Sequence, residues 1–341
     1  NPYLQTPKHL FDNNLLSSGY ADGIYESLNS KNYYSVYPPL NQFLFKASNL
    51  IAGDWGLYRN ILSLKSWIMI SEIGTIILLP KVLKAFEVNP RNAILYILNP
   101  LVIIELSGNA HFEGVLIFLL LISIYFFKKQ PIISAVFFGM AVSIKLIPLL
   151  FIPLLWQYLK TKNWLLYGII TALVNVVLFL PYLTPEFIEN FGSSIQLYFK
   201  SFQFNSFVYS IVMDFSPVFI QKWVAVLLLI FPLLALSWFS FSKTSMLKNM
   251  PAKMGMAQSF YYFFAAVIHP WYLSTIIMLT SFHPVKYILV WSYVIGLSYF
   301  TYRTVPYEEA PLLVALEYVL LFTVLFIDWI QLKRIRYRTQ T

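Results

Sequence analysis

Between Lys128-Lys129 and Lys160 runs PIISAVFFGMAVSIKLIPLLFIPLLWQYL, residues 131–159, and its reading decides the fold. A membrane helix needs about 20 apolar residues to cross a hydrocarbon core about 30 Å thick. One crossing would put Lys160 and Lys162 on the side opposite Lys128 and Lys129. Short basic loops gather on the cytoplasmic side, so the run must go up and come back. Its turning point is Ser143-Ile144-Lys145-Leu146-Ile147-Pro148, where a charge and a proline interrupt the apolar pattern.

The same logic extends along the chain. Further apolar runs stand at about 61–80, 93–104, 113–127, 164–181, 222–241, 257–282, 284–301 and 310–332. They are apolar on every face, which excludes the alternating segments of a β-barrel. Basic groups recur at Lys81, Lys84 and Arg91, at Lys243, Lys248 and Lys253, and at Lys333, Arg334, Arg336 and Arg338. Acids fill the intervening loops: Asp12, Asp22 and Glu26, then Glu105 and Glu113, Glu186 and Glu189, Glu308 and Glu309. The net charge of +9 is therefore mostly a topology signal. Of 341 residues 58% are hydrophobic and 11% charged, against about 25% charged in a soluble domain. An ordinary soluble enzyme, a disordered chain and a nucleic-acid-binding domain are all excluded. The absence of cysteine rules out disulfides and thiolate metal sites.

Two further bends are predicted. One is Glu105-Leu106-Ser107-Gly108-Asn109-Ala110-His111-Phe112-Glu113; the other is His269-Pro270-Trp271-Tyr272 inside the run 257–282. Broken helices survive in a membrane only where protein or a wet cavity covers them. Three polar bends at one face predict an outward-facing cavity. Tyr37-Pro38-Pro39 is expected to start a short helix over about 40–52. Phe187, Ile188, Phe191, Ile195, Tyr198, Phe199 and Phe202 recur at helical spacing, as in a helix lying in the membrane interface. The expected architecture is all-α and polytopic, with roughly 9–12 membrane helices including broken or re-entrant ones. It forms one integral membrane domain, 1–341, with an outer region 1–39, membrane helices over 40–332, an outer stretch 182–221 and a basic cytoplasmic tail 333–341.

Ionisable residues at membrane depth are functional candidates by default. Lys81, Lys84 and the basic tail read as snorkelling and topology. Glu72 is expected to pair with Lys65, about two turns away. Lys145 can hold a phosphate oxygen or pair with a carboxylate such as Glu105. His269 sits at a proline break beside Trp271 and Tyr272: imidazole can donate to a leaving phosphate and the rings can stack on a sugar. His111 and Glu113 begin a helix, where anions are favoured, but no third ligand stands at a diagnostic metal spacing. No cofactor is expected, and a divalent cation finds no support.

Taken together and in order, these pieces resemble the GT-C superfamily of polytopic glycosyltransferases, most nearly the bacterial mannosyltransferases that use polyprenyl-phosphate-mannose. The matching segments are Asn1-Pro2-Tyr3, Tyr37-Pro38-Pro39-Leu40, Leu98-Asn99-Pro100-Leu101 with Glu105 to Glu113, Lys145-Leu146-Ile147-Pro148, and His269-Pro270-Trp271-Tyr272-Leu273. The resemblance implies transfer of a hexose to a lipid or glycan acceptor at the outer face of the cytoplasmic membrane. Membrane lipids, and no nucleic acid, are the other expected partners. His269 and Glu113 are then the catalytic candidates. Lys145, Glu105, Asn109, His111, Tyr37, Trp271 and Tyr272 are the substrate-binding ones. The resemblance also puts the principal base in a loop just before the Asn-Pro-Tyr segment, so that an upstream helix and loop are expected ahead of Asn1. A transporter or flippase of lipid-linked glycans is the alternative, since broken helices with buried charge suit it too, and a structural subunit of an envelope-assembly complex stays open.

Overall fold

The computed structural model describes residues 1–15, 21–28, 30–53, 56–200, 203–242, 247–304 and 307–338. Phe202 and Lys243 lie outside the described residues, as do the side chains of Asp22, Ile195, Tyr198, Phe199, Lys333, Arg334, Arg336 and Arg338. The α-helices of eight residues or more are α1 (Pro39–Ala52), α2 (Leu57–Ala85), α3 (Glu113–Phe126), α4 (Pro131–Val142), α5 (Thr161–Phe179), α6 (Pro185–Lys200), α7 (Phe207–Asp214), α8 (Val218–Ser242), α9 (Met250–Phe264), α10 (Leu273–Thr280), α11 (Lys286–Val294) and α12 (Pro311–Arg338). Among the described residues the β contact is a single bridge between Phe204 and Val267. The chain is an all-α polytopic membrane protein. Among the described residues four stretches are long and apolar enough to cross a membrane: Leu57–Ala85, Thr161–Tyr182, Val218–Trp238 and Pro311–Gln331. A fifth is the bent pair Pro100–Gly108 plus Glu113–Phe126. The other apolar runs divide into shorter helices.

Each division has a local cause. At the first, the pair turns through 113°. Asn99 caps the incoming helix by accepting from the Leu101 amide at 3.0 Å, with Pro100 at the first helical position. Residues Ile103–Gly108 are wound as a π-turn, in which the Asn109 amide reaches Ile104 O at 2.8 Å. Ala110 then takes a left-handed φ of 62°, which costs a residue with a Cβ roughly 1–2 kcal/mol. The helix cannot continue through it.

At the second division α4 stops at Val142, and α1 docks its start there. The Leu40 amide donates to Ser143 Oγ at 3.2 Å and the Asn41 amide to Ser143 O at 3.3 Å. At the third, α9 ends at Phe264 and the chain runs extended past Phe204. The Phe204 amide donates to Ala266 O at 3.0 Å and the Ile268 amide to Phe204 O at 2.9 Å. A 3-10 turn, Pro270–Tyr272, leads into α10, every residue of which is buried. The irregular backbone is partly covered by protein and partly open, with Gly108, Asn109 and Leu146 exposed, as at breaks that line a cavity.

The core lies where α3 packs against α2, α4 and α10. Small residues permit the approach. A Cβ on Gly74 would stand 2.4 Å from the Phe118 ring, and one on Gly139 2.9 Å from Val174 Cβ and 3.2 Å from Thr171 O. One expectation about buried charge is corrected here. Glu72 does not pair with Lys65: it accepts from the Tyr96 hydroxyl at 2.7 Å, while Lys65 donates to Gly108 O at 2.7 Å. Both alternatives come from elements a helical wheel cannot see. The apolar face of α6 is also covered by protein rather than turned to lipid alone. Phe187 and Phe191 stand edge-on to the buried Tyr3 ring, with centroids 5.0 and 5.7 Å away, and Asn190 donates to Tyr3 O at 3.0 Å.

Candidate active site

The three divisions meet at one end of the bundle. α3 runs from Glu113 to Phe126 and α4 returns from Pro131 to Val142, so Glu113 and Lys145 come together at the end opposite Lys128 and Lys129. There the Glu113 carboxylate accepts from the Lys145 ammonium. The sequence had offered Glu105 as that partner; the π-turn points Glu105 elsewhere. The Lys145 ammonium also lies 3.7 Å from the centre of the Tyr272 ring, a cation–π contact.

Glu105 has 0% of its side chain exposed and is ringed by donors. The Tyr299 hydroxyl donates to one oxygen, and Asn109 Nδ2 donates to the other at 3.2 Å. His111 Nε2 stands 3.5 Å from that second oxygen. So Glu105 sits below the surface and orients Asn109, His111 and Tyr299 above it. A carboxylate in low dielectric needs that many partners.

Above the carboxylates the rings lie nearly parallel. The His111 and Trp271 centroids are 3.8 Å apart at 13°, and those of His269 and Trp271 4.4 Å apart at 9°. Tyr272 meets His269 edge-on at 5.3 Å, and Phe204 lies 4.6 Å from His269. His269 is the extended residue that precedes the 3-10 turn, with φ −78° and ψ 150°, and Trp271 and Tyr272 lie inside the turn. His111 and Lys145 keep 25% and 29% of their side chains exposed. The accessible rim therefore presents an ammonium, imidazole edges and aromatic faces, with the carboxylates behind. Such a surface can hold an anion beside a sugar ring.

Of the nine residues singled out from sequence, eight gather here. Tyr37 stands apart: its ring is exposed and edge-on to Phe45 at 5.6 Å, and Phe45 is edge-on to Phe112 at 5.1 Å, two rings from the His111 turn. Tyr299 and Phe204 were not anticipated. Tyr299 sits in a run that reads only as helical, between the hydroxyls of Ser298 and Thr301, and nothing local singles it out. The clefts lined by Ala252, Gly255, Leu279 and His283, and by Tyr209, Leu228, Tyr261 and Phe264, lie away from this cluster.

No curated protein matches the chain. Residues 1–160, which carry Tyr37, Glu105, Asn109, His111, Glu113 and Lys145, match the family model described as alpha-(1->6)-mannopyranosyltransferase, N-terminal domain, and that match makes the chain a glycosyltransferase, with a mannosyltransferase family as its point of similarity.

Proposed function

We propose that the chain moves a mannose from a polyprenyl-phosphate-mannose donor to a lipid-linked or envelope glycan, at the outer face of the cytoplasmic membrane. The observation that carries this reading is Lys145. Its ammonium is partly exposed at a helix division, held by Glu113 beneath and lying over Tyr272, next to the stacked His269 and Trp271. A lipid phosphate needs positive charge at membrane depth, and a sugar needs a flat apolar face.

The donor phosphate takes Lys145 and His269, and its mannose lies at the open edge of the stacked His111, Trp271 and His269 rings. The acceptor oxygen attacks the anomeric carbon as the bond from that carbon to the phosphate oxygen breaks. The bonding pair leaves on the phosphate, where Lys145 and His269 stabilise it, through a transition state with oxocarbenium character. The acceptor's proton passes to a carboxylate acting as general base. Glu105, buried and saturated with donors, acts through Asn109 and His111. The loops at this end carry the acids and those at the other end the lysines, which supports the outward placement. The match over residues 1–160 favours transfer over transport.

The test uses membranes containing the protein at its natural full length, supplied with radiolabelled polyprenyl-phosphate-mannose. Transfer to a glycan product is expected in the wild type and its loss in His269→Ala at equal expression. Wild-type transfer by His269→Ala would sink the role given to that imidazole. Lack of transfer from this donor by the wild type would sink the donor assignment.

A further inference from the structure

Beside the candidate donor contacts lies a second group of rings that the mechanism above leaves unused. It sits on the 3-10 segment Ile295–Arg303 and just beyond it, outside the residues matched by the family model. Tyr299 anchors the group at its inner edge through its hydroxyl on Glu105. Its ring centre is 6.0 Å from that of Tyr302, which in turn is 5.2 Å from Tyr307 and edge-on to it at 79°. Phe204 joins this group to the donor side, with its ring 6.0 Å from Tyr302 and 4.6 Å from His269. Tyr302 and Tyr307 are 41% and 52% exposed, whereas Phe204 is buried behind them. At the edge, the Arg303 guanidinium lies 4.2 Å from the centre of the Phe300 ring, both side chains being exposed.

We propose that Tyr302 and Tyr307 form the subsite for a pyranose ring of the acceptor glycan, with Arg303 bonding its hydroxyls. The chemistry selects a saccharide. One face of a pyranose presents C–H bonds with a partial positive charge, which seat on the negative face of an aromatic ring. Its hydroxyls want planar donors at the rim, and Arg303 and the exposed Asn109 supply them. Position selects the acceptor rather than the donor. The rings reach Glu105 through Tyr299, whereas Lys145, the ammonium assigned to the donor phosphate, is held by Glu113 and lies over Tyr272. A glycan seated there has its terminal sugar directed past Tyr299 towards the stacked imidazoles. The competing explanation, an interfacial belt of tyrosines anchoring the helix in lipid, predicts no sugar dependence.

The inference deepens the transferase reading, and the experiment separates the two. Detergent-solubilised full-length protein is mixed with an α-linked mannose trisaccharide, and binding is read by saturation-transfer NMR alongside the acceptor KM in the transfer assay. Tyr302→Leu keeps an apolar side chain and removes the ring. It is expected to raise the acceptor KM about tenfold, the equivalent of about 1.4 kcal/mol, with the donor KM unchanged and the trisaccharide signal lost. Tyr293→Leu, at a tyrosine 66% exposed on α11, serves as the belt control and should alter neither. Trisaccharide binding that depends on Tyr302 in a protein without transfer would uphold the subsite and overturn the transferase reading. Transfer with an unchanged acceptor KM in Tyr302→Leu, or equal losses in Tyr293→Leu and Tyr302→Leu, would overturn the subsite.

Discussion

The pair Lys145–Glu113 can be split into its structural and its functional parts by a double-mutant cycle. Removing one member of a fully buried ion pair costs about 3–5 kcal/mol. Lys145 keeps 29% of its side chain exposed, so water screens the pair and the cost falls to roughly 1–3 kcal/mol. The two single variants should differ. Lys145→Met leaves the buried Glu113 carboxylate without its cation and should sit at the upper end. Glu113→Gln leaves an ammonium that can still reach water and the Tyr272 face, and should sit at the lower end. Lys145→Met/Glu113→Gln removes both charges together and should recover most of the stability, because an uncharged pair of similar shape is often neutral. Stability is read from the fluorescence of the nine tryptophans during denaturant unfolding in micelles. Donor KM should behave oppositely. A hydrogen bond to a charged group contributes about 1.5–3 kcal/mol, so Lys145→Met and the double variant should both raise donor KM by roughly 10–150-fold. If the double variant regains wild-type donor KM along with its stability, Lys145 is only the partner of a buried acid and the phosphate contact assigned to it is wrong.

Three further outcomes follow from particular contacts. Gly139→Ala puts a methyl group against Val174 and the Thr171 carbonyl, and should lower stability by about 1–3 kcal/mol by forcing α4 and α5 apart; unfolding at the wild-type denaturant midpoint would show that this helix pair has slack. Tyr96→Phe leaves the buried Glu72 oxygen without its donor and should cost about 1–3 kcal/mol with both KM values unchanged; a change in KM would place Glu72 in the site after all. Trp271→Phe keeps a flat face between His111 and His269 and should retain much of the activity that Trp271→Ala loses, whereas equal loss in both would point to the indole nitrogen instead.

What could be read from the chain, and what could not, divides along contact range. Helix positions follow from apolar runs, and the breaks from a charge or a proline inside a run, since both are local energetic facts. That is why Lys145, His269 and the Glu105–Glu113 segment stood out singly. Which of them touch is another matter. The sequence reading offered Lys145 a carboxylate such as Glu105, and the π-turn over Ile103–Gly108, with Ala110 left-handed after it, leaves Glu113 facing it instead. The expected Lys65–Glu72 pair failed for the same reason: Tyr96 and Gly108 offered better partners from neighbouring segments. Tyr299 was invisible because its partner lies on a different helix, and periodicity along one helix carries no information about another.

The bond between Tyr299 and Glu105 spans 194 positions of chain. At about 5–20 residues added per second during synthesis, Glu105 enters the bilayer roughly 10–40 s before its tyrosine exists. Through that interval the carboxylate has only Asn109 and His111 from its own turn as partners. The nascent protein thus inserts with Glu113 and Lys145 already made, while His269, Trp271 and Tyr299 are still to come. The cluster around Glu105 is therefore completed late, when the segment carrying Tyr299 packs against it.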